Sequence, residues 1–414
     1  MGDLLLTDCT EVVTPVRPNG SPELVVLHDV SIYIREGRIV GIGSRDEIRN
    51  RFGELTGIPV YDAKGKTVLP GLVDAHTHLP FSGWREGEFN RRLHGETYMD
   101  VARSGGGINS TVRAVRVATL EELTRSCLEG LDAFVAHGVT TVEAKSGYGL
   151  NLVDEIKQLE AIRDAGSRHS VTLVPTLLAA HEYPPEYKED RKGYVRLVID
   201  TILPEVARRG LALYQDVFCE AGVFTVEESR EILLAGKALG MTPRIHADEI
   251  ETTGGAELAA DVGAVSADHL AVPSMEGIRR MAEAGVIAIL LPGTSFFLRH
   301  TKHAPARAML DAGVHVALST DFNPGSSPTT NLPLIMRLGC FLLDMTVEEV
   351  IHAVTEVPAR SLGFSEDRGV VEEGKRGDLS VWNVDNHLKI FYRYGEARVE
   401  GTVIEGDIVY HADL

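Results

Sequence analysis

The chain has 414 residues, 44% of them hydrophobic and 24% charged, with a formal net charge of −19. That length calls for one large domain with an accessory one, or for two to three domains, and the composition excludes disordered and fibrous classes. The acidic balance argues against a nucleic-acid partner, and it requires any anionic ligand to be held by local cations against the overall field.

From the N-terminus, no basic segment leads into a long apolar stretch, and no apolar run approaches the roughly 18 residues of a membrane span. Residues 1–66 alternate apolar and polar positions in short bursts, as at 30–34 and 38–42, broken by Glu36-Gly37 and Lys64-Gly65. This texture predicts a small antiparallel sheet with tight turns. From 366 to 414 it returns, at 377–382 and 397–404, with turn signals at Glu373-Gly374 and Glu405-Gly406. The two ends are expected to combine into one β-domain around a central region, 67–365.

In that central region strand-like and helix-like runs alternate. The strand-like runs are 68–75, 139–145, 171–180, 213–219, 242–247, 265–269, 286–291 and 314–320. Helices are predicted at 120–137, 226–239 and 275–284, the second opened by Thr225 with Glu228 at capping-box spacing. Eight β-α units in succession argue for a closed parallel barrel, whose active-site groups gather at the C-terminal strand ends. A doubly wound open sheet is the alternative, but it requires no polar pattern at eight strand ends. The four cysteines, Cys9, Cys127, Cys219 and Cys340, lie far apart without a Cys-x-x-Cys. They read as buried thiols in a reducing compartment, and a cytoplasmic enzyme without a membrane partner fits best.

Metal-competent residues stand at the ends of these runs. His76 and His78 close the first, and a spacing of two on a strand points both imidazoles to one side. His246 ends the fifth, His269 the sixth and Asp321 the eighth. Singly each is an ordinary rim residue or turn starter. Together at one barrel mouth they would be costly to desolvate without a shared partner, which points to a divalent metal ion. Glu249, three residues after His246, is placed to move a proton, its rival reading being a helix-start residue. Gly105-Gly-Gly107 lacks nucleotide-loop spacing and follows no suitable strand, so it reads as a flap near the site.

The order His-x-His, His, His and Asp resembles the amidohydrolase superfamily of metal-dependent hydrolases. Longer stretches, 76–89, 105–114, 142–150, 216–220, 246–249 and 320–328, resemble within it the imidazolonepropionases, cyclic amidases of histidine degradation. The resemblance implies a distorted (β/α)8 TIM barrel with a composite β-sandwich domain built from both termini. It implies hydrolysis of the cyclic C–N bond of 4-imidazolone-5-propanoate to N-formimidoyl-L-glutamate, and a homodimer. One ion, Zn(2+) or Fe, is expected on His76, His78, His246 and Asp321, because the fourth run has no lysine to bridge a second. Lys145, on the second run, reads as an ion-pair partner behind the ligands. The expected catalytic residues are Glu249, His269 and Asp321, with His269 holding the attacked carbonyl oxygen or orienting water.

Substrate contacts are expected from Arg85, Tyr148, His181, Glu249, Asn323, Gly325 and Ser326, with a further one at Tyr98. Arg85 would grip the propionate carboxylate in bidentate fashion; its rival reading is a surface arginine paired with Glu86 or Glu88. The competing functions are an aminohydrolase acting on an amidine or amine, and a non-catalytic assembly protein on the same barrel. Retention of all the ligands argues against the second.

Overall fold

In the computed structural model the described residues are 2–96, 100–101, 104–396 and 398–412. Strands β1 (Leu4–Val16) and β2 (Glu23–Arg35) pair antiparallel, with Leu4 opposite Ile34 and Val16 opposite Glu23. β3 (Arg38–Gly43) returns through Glu36-Gly37, both at positive φ, a turn whose twist matches the strands it joins. β4 (Val60–Asp62) and β5 (Thr67–Pro70), however, run parallel to β1. The sheet is therefore mixed rather than antiparallel, because alternation reports which face is buried and not which way the neighbour runs.

The apolar run 68–75 divides between two sheets. After β5 the chain passes Gly71, whose N–H donates to Asp378 O at 2.8 Å, and enters the barrel as β6 (Leu72–Asp74). A Cβ at Gly71 would lie 2.4 Å from Thr140 Oγ1, so the junction between the two sheets admits only glycine without a shift. Both strands are buried, and hydrophobicity alone could not separate them.

Seven further parallel strands follow: β7 (Val139–Lys145), β8 (Thr172–Ala180), β9 (Tyr214–Cys219), β10 (Thr242–Ala247), β11 (Ser266–His269), β12 (Ile287–Leu290) and β13 (Val316–Leu318). Each pairs with the next in sequence order. Just beyond the strand ends the circle is drawn together: Asp321 N donates to His76 O (3.1 Å) and His78 N to Phe322 O (2.9 Å). The first and last metal-competent positions are thereby stitched side by side. Outer helices include Leu120–Val135, Val226–Ala238 and Met275–Ala284, the first two opened by capping boxes at Thr119/Glu122 and Thr225/Glu228. Among the described residues no helix is long and apolar enough to cross a membrane.

The C-terminal strands β14 (Leu379–Trp382), β15 (Val399–Ile404) and β16 (Asp407–His411) join the N-terminal ones through β14 and β5. The order is β16-β15-β14-β5-β1-β2-β3, with β4 on β1. Leu4, Leu6, Ile32 and Ile34 from one flank share a core with Leu379, Val381 and Val403 from the other. Ile39 N donates to Lys375 O and Gly377 N to Gly37 O, so the sheet's flanks meet around that core.

Candidate active site

Four side chains meet at the C-terminal mouth of the barrel. His78 Nε2 lies 3.2 Å and His76 Nε2 3.5 Å from Asp321 Oδ1. The ring of His246 is 4.6 Å from that of His76 and 5.5 Å from that of His78, centre to centre. The His269 ring stands 5.2 Å from that of His246 and 5.6 Å from that of His76; the ligand atoms of these three form one close group, and those of His76, His78 and Asp321 form a second that shares His76. The strands thus bring together every metal-competent residue named from the sequence, with His269 nearer to the ligand set than its expected role required.

These groups suit a divalent cation. His76 Nε2, His246 Nε2 and Asp321 Oδ1 are all buried without a hydrogen-bond partner among the described residues. Each is a lone-pair atom, and a buried acceptor left unpaired costs about 1–3 kcal/mol unless a ligand fills it. Behind them, His76 Nδ1 is 2.6 Å from Asp268 Oδ2, and His246 Nδ1 is 3.0 Å from Asp216 Oδ2. A carboxylate at Nδ1 fixes the proton there and turns the bare Nε2 toward an ion. Lys145 Nζ joins the two carboxylates, 2.9 Å from Asp216 and 3.9 Å from Asp268, with Glu143 at 2.8 Å. Lys145 is thus the ion-pair partner behind the ligands that its position suggested.

The electrostatics follow this layout. Burial, aided by the Lys145 charge, pushes His76 well below its ordinary value, keeping its imidazole neutral. Burial alone would lower His246 too, but the Asp216 carboxylate more than reverses it. Asp268 is raised by burial to about 6, against the pull of Arg244 and Lys145. Arg244, fully buried beneath the site, donates to Ala75 O at 3.1 Å.

Two carboxyls remain above this layer, and they differ. Asp321 accepts from Thr294 Oγ1 at 2.6 Å through Oδ2, which leaves Oδ1 facing the histidines. Glu249 faces His269, with 3.6 Å between Oε1 and Nδ1. Burial and the nearby Asp321 charge push Glu249 up to about 8, while burial takes His269 down to about 3. The Glu249 loop is anchored by Glu220, whose carboxylate accepts from the backbone N–H groups of Glu249, Ile250 and Glu251 at 2.9–3.2 Å. Asp248 fastens the loop's other side, accepting from Thr253, Gly254, Gly255 and Ala256.

Around the mouth, His181 stacks on His78 at 5.0 Å, with Nδ1 3.0 Å from Gly147 O. The Tyr148 ring lies 5.9 Å from His78 and 5.3 Å from His181. Arg85 is only 7% exposed; among the described residues its Nε and Nη1 find no hydrogen-bond partner, and Glu88 is no closer than 4.0 Å. Asn323 bonds within its own loop: Oδ1 accepts from Gly325 N and Ser326 N, both at 2.8 Å, and Nδ2 donates to Asp321 O at 2.7 Å and to Ser326 Oγ at 2.9 Å. Tyr98 lies outside the described residues. Gly107 N donates to Glu88 Oε1 at 3.0 Å, tying the start of the helix Ile108–Val117 to the Arg85 segment.

Thr294, Glu220, Asp268 and Arg244 were not singled out from the sequence as parts of the site. Asp268 adjoins His269 at the end of the sixth run, and Glu220 follows β9 within 216–220, a stretch that carried the family resemblance. Nothing local marks Thr294.

A family model described as amidohydrolase family matches residues 87–410. An imidazolonepropionase of Geobacillus kaustophilus (strain HTA426) is 53% identical over 403 residues, covering 97% of this chain and 95% of the relative. The imidazolonepropionase of Geobacillus thermodenitrificans (strain NG80-2) is 50% identical, covering 99% and 98%. Among solved structures, E. coli guanine deaminase superposes with a TM-score of 0.78 over 99% of both chains at 16% identity, a likeness of fold alone.

Proposed function

The chain belongs to the amidohydrolase family, and from that premise we propose that it hydrolyses the cyclic C–N bond of 4-imidazolone-5-propanoate. The product is N-formimidoyl-L-glutamate, and the reaction is a step of histidine degradation. The observation that carries this reading is the near-complete match to imidazolonepropionases at about half identity, in a chain that keeps the full histidine–aspartate cluster.

The site takes a divalent metal ion, and His76, His78, His246 and Asp321 are the residues we assign to hold it. One ion is expected, since Lys145 is committed to Glu143 and Asp216. Three imidazoles and a carboxylate suit zinc, and iron(II) also accepts such a set. When bound, the ion makes water nucleophilic near neutral pH and polarises the amide carbonyl.

The chain's own groups do the rest. Arg85 holds the propionate carboxylate with its unpaired donors, supplying locally the positive charge that the whole chain lacks. Tyr148 and His181 flank the imidazolone ring. Neutral His269 donates to the carbonyl oxygen as it gains charge under attack. Glu249 takes the proton from water and delivers it to the ring nitrogen as the C–N bond breaks. The Thr294 hydrogen bond on Asp321 favours Glu249 over Asp321 for that work, because it occupies the aspartate's second oxygen. Asn323 and Ser326 shape the loop that faces the propionate.

Replacing Glu249 with Gln tests the assignment: metal content should be retained and most turnover lost, whereas unchanged kcat would move the base elsewhere. A homodimer in the cytoplasm completes the proposal, resting on the resemblance and on the cysteine usage; a monomer by sedimentation would remove the first.

A further inference from the structure

Gly325 lies on the loop that follows β13, four residues beyond Asp321. Its backbone is held on both sides: its N–H donates to Asn323 Oδ1 at 2.8 Å, and its carbonyl accepts from Arg92 Nη1 and Nη2 at 3.3 and 3.4 Å. Gly325 is absent from the glycines with positive φ, so conformational freedom does not explain it. Space does. A Cβ at this position would lie 1.2 Å from Arg85 Nη2, 1.9 Å from Cζ and 2.3 Å from Nε. The guanidinium occupies the volume where any other residue would carry its side chain.

We propose that Gly325 is a specificity-determining positioning residue: by lacking a side chain it seats the Arg85 guanidinium against the loop, where it can receive a substrate carboxylate. The inference rests on the reading of Arg85 as the carboxylate grip. Arg85 approaches along the first barrel loop, and Asn323 and Arg92 fix the surface against which it lies. The guanidinium is the far end of a flexible side chain, so a methyl group at 325 displaces the grip while the loop stays in place. The missing side chain at Gly325 therefore acts through Arg85.

A double-mutant cycle in the metal-loaded full-length enzyme tests this, using Arg85→Ala, Gly325→Ala and the pair. Each is assayed on 4-imidazolone-5-propanoate and on the neutral propanamide analogue. Losing a charge-assisted grip should raise KM for the acid on the order of 100-fold in either single variant. The pair should be no worse than Arg85→Ala alone, since both substitutions remove one interaction. KM for the amide should move less than about threefold, as only the uncharged contacts remain. If Gly325→Ala loses thermal stability, adding Arg85→Ala should restore it by vacating the shared space, and failure to restore it overturns the seat. A wild-type KM in Gly325→Ala also overturns the seat, as does multiplication of the two effects in the pair. An unmoved KM in Arg85→Ala overturns the grip itself, and the seat with it.

Discussion

The strand-end centre and the loop rim are both incomplete, and they are incomplete in opposite senses. At the centre the buried atoms without partners include acceptors, His76 Nε2, His246 Nε2 and Asp321 Oδ1. At the rim they are donors, Arg85 Nε and Nη1. Buried polar atoms are normally paired, so each set states the sign of what would complete it: a cation below and, on the proposed reading, an anionic carboxylate above. The two regions also differ in how they are held. The imidazoles hang from Asp268 and Asp216, which Lys145 joins, all fully buried on barrel strands. Arg85 lies on a loop, seated by the absence of a side chain at Gly325. Rigid compensation underneath and shaped vacancy above are two ways to keep unsatisfied groups in place at a stability cost.

Breaking the centre should have the largest effect. His246→Ala is expected to abolish both metal retention and turnover, measured as metal content and ring-opening rate on the same sample. Next comes the group between the regions. Glu249→Gln should keep the metal while kcat falls by about 10²–10⁴-fold, the usual contribution of a general acid–base. The support beneath the centre follows. Lys145→Met takes the paired cation from buried Glu143 and Asp216, and unfolding should become easier by about 3–5 kcal/mol. Chelator competition should also find metal affinity weakened by about 10–100-fold, as for other lost supports behind metal ligands. If affinity is unchanged, the carboxylates orient the histidines without Lys145.

The smallest effect is one of pH. In chelator-stripped protein Glu249 titrates near 8 rather than its ordinary 4.5, raised by burial and by Asp321. A carboxyl raised on folding binds its proton more tightly in the native state. The stability it contributes is complete below 4.5 and is lost as pH rises toward 8. The melting temperature of stripped wild type should fall over that range more steeply than that of stripped Glu249→Gln. Equal slopes would place Glu249 in a wetter setting.

Much of the centre was legible because its signals are local. His76 and His78 share a strand face by their spacing of two, and the strand-end positions of His246, His269 and Asp321 followed from the alternation of runs. Thr225 and Glu228 announced their helix. The supports were less legible, since they are contacts across the barrel. Asp268 touches His76 across 192 positions, and no periodicity encodes that. Thr294 reaches Asp321 from a different strand end, and Glu220 reaches Glu249 across 29 positions. The split at Gly71 was hidden for another reason: two buried strands in succession look like one. Gly325 could be named from the sequence, but its role lay in the space that Arg85 fills.

The central claim is that the histidine–aspartate centre, loaded with its ion, opens the imidazolone ring. The most direct measurement follows the absorbance of 4-imidazolone-5-propanoate on adding metal-loaded protein, chelator-stripped protein, and stripped protein titrated with a divalent ion. The account predicts loss of absorbance with formation of N-formimidoyl-L-glutamate, its disappearance on stripping, and full recovery at one equivalent of ion. Undiminished absorbance with loaded protein, or equal turnover after stripping, would contradict it.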